Sequence, residues 1–145
     1  GASTLLGQHE RIALPQVALA DLKGAPVELT QLVRGQPAVI NLWATWCPPC
    51  VAELPLLAEA QQRTPGVRFV FVNQGETPEV VQQFLAEQRV TLANVMLDRG
   101  MELGPAIGSR GLPTTLFVDA AGGVVARHMG LVSSASLAAR MGELK

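Results

Sequence analysis

The stretch that decides the fold reads Ala-Val-Ile-Asn-Leu-Trp-Ala-Thr-Trp-Cys-Pro-Pro-Cys at residues 38–50. It begins as an apolar run typical of a buried strand and ends in the only two cysteines of the chain, Cys47 and Cys50. A helical pattern follows, and Pro48 suits its first position, where the N–H that proline lacks would be unpaired anyway. The sequence therefore predicts a strand of about residues 37–43 that leads directly into a helix of about residues 48–63.

The position of the two cysteines predicts a dithiol redox site. At a helix N-terminus, free backbone N–H groups and the macrodipole stabilise an anion by roughly 0.3–1 kcal/mol, and by up to about 2 kcal/mol when it is partly buried. The thiolate of Cys47 is therefore favoured. Cys50 lies about one turn further along the same face, so the two sulfurs can form a disulfide. We interpret Cys47 as the attacking thiol and Cys50 as the more buried, resolving thiol.

Three other interpretations of the cysteine pair are weaker. A structural zinc site needs four ligands, and the two histidines, His9 and His128, have no ligand spacing to each other. We interpret both as ordinary surface or edge residues and expect no metal site. A purely structural disulfide across so short a loop would remove little unfolded-state entropy. A peroxidatic cysteine would lack a resolving cysteine outside the motif.

The composition indicates a small soluble enzyme. The 145 residues fit a single domain, 1–145, and a net charge of −1 without a basic run argues against nucleic acid as a partner. No stretch reaches the roughly 18 apolar residues of a membrane span. The chain starts at Gly1 without an initiator methionine, which is compatible with a removed signal peptide or membrane anchor. We expect residues 1–15 to be poorly ordered or an extended leader, and the protein to be a monomer without a bound cofactor.

Around the motif, apolar strands alternate with helices. The helix of about 48–63, in which Pro55 should produce a kink, lies between two apolar runs and predicts a parallel βαβ unit. Before it, a hairpin is expected, and Thr30 would cap a short helix that ends near Gly35. The other expected elements are hairpin strands at 16–20 and 25–29, a strand at 67–73, a helix from Thr77 and Pro78, a strand at 94–97, a weak helix at 101–107, a hairpin of a strand within 111–119 with 124–129, and a last helix capped by Ser133.

Several motifs taken in order resemble one family. Trp43-Ala-Thr-Trp-Cys-Pro-Pro-Cys50, Glu53, Pro55 and Gly111-Leu-Pro-Thr-Thr115 together are similar to the TlpA/ResA/DsbE family of thioredoxin-like proteins. The resemblance extends from about Gln16 to the end of the chain. It implies an α/β thioredoxin fold with a central mixed sheet flanked by helices, an N-terminal β-hairpin and a helix-strand insertion at about residues 77–97.

The resemblance also implies a surface that binds substrate. Pro113 would be a cis-proline facing the cysteines, and the backbone of Leu112 would pair with an extended client segment as a strand does. Trp46, with Pro48 and Pro49 of the motif, would form the rest of this surface. Trp43 would pack beneath the site; simple apolar packing is an alternative for both tryptophans.

The resemblance assigns a third catalytic residue besides the two cysteines. Classical thioredoxins carry a buried Asp where this chain has Asn41, which cannot exchange protons. Glu53 stands where the TlpA/ResA group often places its acid, so we assign it to accepting the proton of Cys50 and returning it in the reverse direction. The alternative is that Glu53 is a solvated residue near the helix start, favoured there only by the dipole.

The implied function is thiol–disulfide exchange without a cofactor, through a mixed disulfide with the client. The resemblance implies a periplasmic or otherwise extracytoplasmic reductant of exported proteins, with a membrane electron donor of the DsbD/CcdA type and a link to cytochrome c maturation. Residues 109–112 lack the tyrosine-containing segment of dedicated maturation proteins, so we favour a general TlpA-like reductase. A hypothesis from another class is a protein that handles Cu(I), or loads a copper site, with the same two thiolates.

Overall fold

The computed structural model describes residues 2–5 and 11–144, and the interpretation of His9 therefore lies outside the described residues. The elements in chain order are β1 (Ala2–Leu5), β2 (Ile12–Ala13), β3 (Ala18–Asp21), β4 (Pro26–Glu28), α1 (Leu29–Leu32), β5 (Ala38–Trp43), α2 (Pro48–Arg63), β6 (Arg68–Gln74), α3 (Pro78–Gln88), β7 (Val95–Asp98), α4 (Leu103–Ala106), β8 (Thr114–Val118), β9 (Gly123–Met129) and α5 (Ser134–Gly142). Strands therefore alternate with helices through the middle of the chain, as the sequence predicts.

The strands form one mixed sheet with the order β1-β9-β8-β5-β6-β7-β3-β4, and β2 pairs with β9. The pairs β5–β6 and β6–β7 are parallel, which confirms the predicted βαβ unit. The predicted hairpin is also present as β3–β4, and β3 joins the main sheet beside β7. The pair β8–β9 is the second predicted hairpin.

Helices cover both faces of the sheet. The face that carries Val39, Asn41 and Trp43 of β5 is covered by α2, α3 and α5, whose buried leucines pack on it. The opposite face carries Ile40 and Leu42 and is covered by α1, α4 and the segment around residues 14–19. Because neighbouring residues of a strand point to opposite faces, a strand buried on both sides reads as the continuous apolar run seen at 38–43.

Two predicted helix starts are wrong. α1 begins at Leu29 rather than after Thr30, because Leu29 is completely buried in the core and fixes the start; its N-cap residue makes no side-chain cap. α4 begins only at Leu103, since the carboxylate of Asp98 accepts the N–H groups of residues 102 and 103 there. Each start depends on a contact distant in sequence rather than on local pattern.

His128 is neither a surface nor an edge residue, contrary to the sequence interpretation. It is 4% exposed and lies in β9, between β8 and β1. The other described features follow the sequence more closely: α2 continues through Pro55 to Arg63, and Thr77 and Ser133 cap α3 and α5 with their hydroxyls. None of the helices in residues 2–5 and 11–144 combines the length and the apolar character needed to span a membrane.

Candidate active site

Cys47 and Cys50 form a disulfide at the N-terminus of α2. Cys47 is the N-cap residue, and its Sγ accepts the backbone N–H of Cys50 at 3.3 Å. Pro48 occupies the first turn, as predicted. Cys47 is 4% exposed and Cys50 is completely buried, so Cys47 is the more accessible residue of the pair. An N–H directed at Cys47 stabilises the thiolate that forms there when the disulfide opens.

Exposed apolar side chains surround the disulfide. Trp46 is 68% exposed, and Pro48 and Pro49 are exposed beside it. A groove of about 380 Å³ lies next to the motif, and both Trp46 and Leu112 line it. The Leu112–Pro113 peptide bond is cis, as the resemblance implies, and β8 begins directly after it against the last residues of β5. The fold thus brings the two sequence segments of the predicted binding surface together.

Glu53 lies inside the protein, one turn after Cys50 on α2. It is 2% exposed, which excludes the alternative of a solvated residue. Its Oε1 accepts the side-chain amide of Asn41 at 2.8 Å, and its Oε2 accepts the N–H of Val132 at 3.0 Å. Burial raises the pKa of the Glu53 carboxyl above its ordinary value, and the hydrogen bonds from Val132 and Asn41 offset part of that rise. A carboxyl group with a raised pKa takes up and releases its proton closer to neutral pH, which suits a residue that exchanges protons during a reaction.

The polar residues beneath α2 form a row across the sheet. Asn41 of β5 lies opposite Thr115 of β8, which lies opposite His128 of β9, so the three share the face covered by α2. The Asn41 amide also donates to Thr115 Oγ1 at 3.2 Å. Trp43 packs on the same face, completely buried, with its ring 6.2 Å from that of Phe84. The carboxylate of Glu53 is thus held by groups on the sheet as well as by its own helix.

A second carboxylate holds the loop before the motif. Glu76 accepts the N–H of Thr45 at 2.8 Å and the Thr45 hydroxyl at 2.5 Å. It also accepts the side-chain amide of Asn73 at 2.8 Å. The loops meet here because β5 and β6 are parallel neighbours, so their carboxyl ends lie at the same edge of the sheet. Glu76 therefore fixes the residue two positions before Cys47.

Replacing Glu76 by Ala is expected to lower the free energy of unfolding by about 1–3 kcal/mol, because the Thr45 N–H and the Asn73 amide lose their acceptor. Glu76→Gln keeps one oxygen for these donors and should lose less than half as much. Urea unfolding of the oxidised protein measures both without involving exchange activity. Equal losses of unfolding free energy in the two variants would show that hydrogen bonds to the Glu76 carboxylate do not hold this loop in place.

Sequence reasoning missed Glu76, Thr115, His128 and Val132 as parts of the site. Thr115 enters the sequence interpretation only as the last residue of the motif at residues 111–115. Val132 contributes a backbone N–H, for which no side-chain signal exists. For Glu76, the one available signal is its position in a loop directly after a strand parallel to β5. His128 could have been placed only from the strand register, which the sequence does not specify.

The comparisons with known proteins agree with this geometry. Residues 10–139 match the Redoxin family. The ResA thiol-disulfide oxidoreductase of Halalkalibacterium halodurans is 33% identical over 114 residues, which are 77% of this chain and 64% of that protein. The thiol:disulfide interchange protein HelX of Rhodobacter capsulatus is 36% identical over 117 residues, 80% of this chain and 65% of that protein. The chain thus spans slightly less than two thirds of the length of these curated relatives.

A solved structure shows the same fold. It is a secreted Mycobacterium tuberculosis disulfide oxidoreductase homologous to E. coli DsbE, with a TM-score of 0.75 and 26% sequence identity. The match covers 89% of this chain and 96% of that one. These findings confirm the thioredoxin-type α/β fold and the resemblance to the ResA and DsbE proteins, and the chain belongs to the Redoxin family.

Proposed function

We propose that the chain is a protein thiol:disulfide oxidoreductase that reduces disulfides of exported proteins. The observation that carries this proposal is the Cys47–Cys50 disulfide at the N-terminus of α2, above a buried carboxyl group. The thiolate of reduced Cys47 attacks one sulfur of a client disulfide and the other client sulfur leaves as a thiolate. Cys50 then attacks the mixed disulfide at Cys47, which closes the Cys47–Cys50 bond and releases the second client sulfur.

Glu53 serves as the proton acceptor for Cys50 in the second step. Cys50 is completely buried, so its proton has no direct path to bulk water, and Glu53 lies three residues further along the same helix. The raised pKa of Glu53 brings its proton exchange closer to neutral pH. In the reverse direction, the same group returns the proton as the Cys50 sulfur leaves.

The client segment binds beside Trp46 and Leu112. Trp46 offers a large exposed apolar surface, and Pro48 and Pro49 continue it on the helix side. Among the described residues, the backbone N–H and C=O of Leu112 have no backbone partner, which leaves them for pairing with an extended segment. Pro113, directly after Leu112, completes the surface opposite the motif. An unfolded stretch of client around its cysteine fits this arrangement.

The proposed setting is extracytoplasmic, and periplasmic where the cell has a periplasm. The secreted mycobacterial relative supports this placement. A membrane donor of the DsbD/CcdA type would reduce the oxidised protein, apocytochrome c is one candidate client, and the protein would act as a monomer. The hypothesis that the two thiolates handle Cu(I) has no separate observation in its favour in the part of the chain that the structure describes.

The direction of electron flow is tested by the reduction potential. Equilibration with glutathione buffers and detection of the free thiols should give a potential well below that of a strong oxidant such as DsbA, about −120 mV, and nearer to that of thioredoxin, about −270 mV. The reduced protein should also reduce the interchain disulfides of insulin. A DsbA-like potential would contradict the assignment as a reductant, and absence of any insulin reduction would contradict the exchange function.

A further inference from the structure

One peptide group near the site is hydrogen-bonded at both ends by side chains. The carbonyl oxygen of Leu131 lies 2.6 Å from Nε2 of His128. The N–H of the same peptide group, which belongs to Val132, donates to Oε2 of Glu53 at 3.0 Å. A carbonyl oxygen only accepts, so Nε2 of His128 carries the proton of this contact. His128, the Leu131–Val132 peptide and Glu53 thus form a continuous chain of hydrogen bonds.

This series of hydrogen bonds lies inside the protein. His128 and Val132 are each 4% exposed, and Glu53 is 2% exposed. Hydrogen bonds are stronger where water is excluded, and those in a series polarise one another. Nδ1 of His128 is buried and has no partner among the described residues. An Nδ1–H there would be a buried, unpaired donor, so the tautomer with its proton on Nε2 fits the site.

The segment with this peptide is held on its other side as well. The N–H of Gly130 donates to the carbonyl oxygen of Pro113 at 2.9 Å. Residues 130, 131 and 132 are therefore hydrogen-bonded to Pro113, His128 and Glu53, respectively. Without the His128 contact, the Leu131 carbonyl would lose the one side-chain partner that it has among the described residues, and the peptide would be free to turn about Gly130. The His128 contact is thus one of the restraints on the direction of the Val132 N–H.

We propose that His128 is a positioning residue for Glu53, which it serves by fixing the Leu131–Val132 peptide so that the Val132 N–H binds the carboxylate. The importance of this role for thiol–disulfide exchange rests on the function proposed above. The role itself does not, because the hydrogen bonds exist without a client. His128 touches neither Cys47 nor a substrate in this role. It acts through one peptide group.

Other charged groups do not compete for Glu53 among the described residues. β5 and β8 carry no ionisable side chain. Arg127 of β9 lies on the opposite face, where its Nη1 donates to the carbonyl oxygen of Ile107. The charged residues of α2 and α5 other than Glu53 form ion pairs at the surface, Glu59 with Arg63 and Arg140 with Glu143. The acidic residues of α3, Glu79 and Glu87, are exposed. The hydrogen bonds to Glu53 among the described residues come from Asn41 and Val132, neither of which carries a charge.

The unsubstituted protein provides the first test. ¹⁵N NMR of the imidazole ring should show the Nε2–H tautomer, with Nδ1 unprotonated, in the folded protein at neutral pH. A ring protonated at Nδ1 alone would overturn the proposal, because such a ring has no proton to donate to Leu131. This measurement needs no variant and no assay of exchange.

Two substitutions provide the second test, with the Glu53 carboxyl carbon followed by ¹³C NMR across pH in the reduced protein. His128→Leu removes the donor, and the pKa of Glu53 should rise by about half a unit to one unit as part of a charge-assisted hydrogen bond is lost. His128→Gln retains an N–H at a similar reach and should return the pKa to within about 0.3 unit of the original value. Identical Glu53 titration in the Leu variant would overturn the proposal.

The outcome does not depend on whether exchange proceeds as proposed. If His128→Leu does not fold, the tautomer still decides, since a ring without a proton on Nε2 overturns the proposal and a ring that carries it there supports the contact. A large shift of the Glu53 pKa in a folded Gln variant would also contradict the proposal. Failure of the proposed function would appear elsewhere, as insulin reduction that is absent from the unsubstituted protein. A shifted Glu53 titration in His128→Leu would then still support the positioning role.

Discussion

Replacing Cys50 by Ser is expected to turn the protein into a covalent trap for its clients. Cys47 in this variant still attacks a client disulfide, but no second thiol is present to release the mixed disulfide. Incubation of reduced Cys50→Ser with a disulfide-containing client should give an adduct that non-reducing electrophoresis separates and that dithiothreitol dissolves. Catalysed insulin reduction should fall to the rate without the protein.

Cys47→Ser is the matched control for the trap. Both single substitutions remove the same disulfide and leave one thiol, so any difference between them reflects the position of the sulfur. Cys50 is completely buried, whereas Cys47 borders the exposed Trp46. We expect no adduct with Cys47→Ser. Equal trapping by both variants, or trapping by Cys47→Ser alone, would contradict the assignment of the attacking thiol.

Replacing Glu53 by Gln is expected to slow the resolution of the mixed disulfide by about 100-fold, the lower end of what general acid–base catalysis contributes. Gln has nearly the shape of Glu but accepts no proton, so Cys50 must lose its proton without help. Stopped-flow measurement of client release, from a mixed disulfide prepared at Cys47, isolates this step. Its rate in the unsubstituted protein should rise with pH as the Glu53 carboxyl ionises, and the Gln variant should lack this rise.

The raised pKa of Glu53 also makes a prediction about stability. A folded-state pKa above the unfolded value favours folding fully below the unfolded pKa, and this contribution is lost as the pH rises through the folded pKa. Since Gln does not ionise, the stability of Glu53→Gln relative to the unsubstituted protein should increase over that pH range. Urea unfolding of the oxidised proteins at a series of pH values measures the difference. A relative stability that falls with pH would contradict a raised pKa.

Glu59→Gln is the control for both experiments. Glu59 lies on the same helix but is exposed, and its ion pair with Arg63 is at the surface, where such pairs contribute little. Its substitution should leave the resolution rate and the pH dependence of stability unchanged. An effect as large as that of Glu53→Gln would mean that charge anywhere on α2, rather than a buried proton acceptor, explains the results.

The part of the site that could be predicted lies on one continuous segment. A buried strand, two cysteines and a helix with Pro48 at its start follow from local rules of polarity and backbone geometry. They place Cys47 at the helix N-terminus without any tertiary information. The burial of Glu53 could be inferred only from family resemblance, because a glutamate in the second turn of a helix is more often exposed.

The rest depends on contacts between distant segments. Glu76 reaches Thr45 only because β5 and β6 are parallel, and His128 faces α2 only because β9 pairs with β8 in one register. A shift of that register by one residue would move His128 to the other face. The start of α1 illustrates the same point, since the burial of Leu29 determined it and the capping preference of Thr30 did not.

The contrast between the exposed rim and the covered sulfurs has a consequence for client selection. Trp46, Pro48 and Pro49 stand in solvent, while Cys47 is 4% exposed below them. The exposed side chains of Trp46, Pro48 and Pro49 would collide with a rigid, folded partner before its disulfide reached Cys47. A cysteine in a flexible segment can reach that sulfur without such a collision. Under the reductase function proposed above, clients would thus be selected by their conformational freedom before any chemistry begins, and the disulfides of a completed fold would be spared.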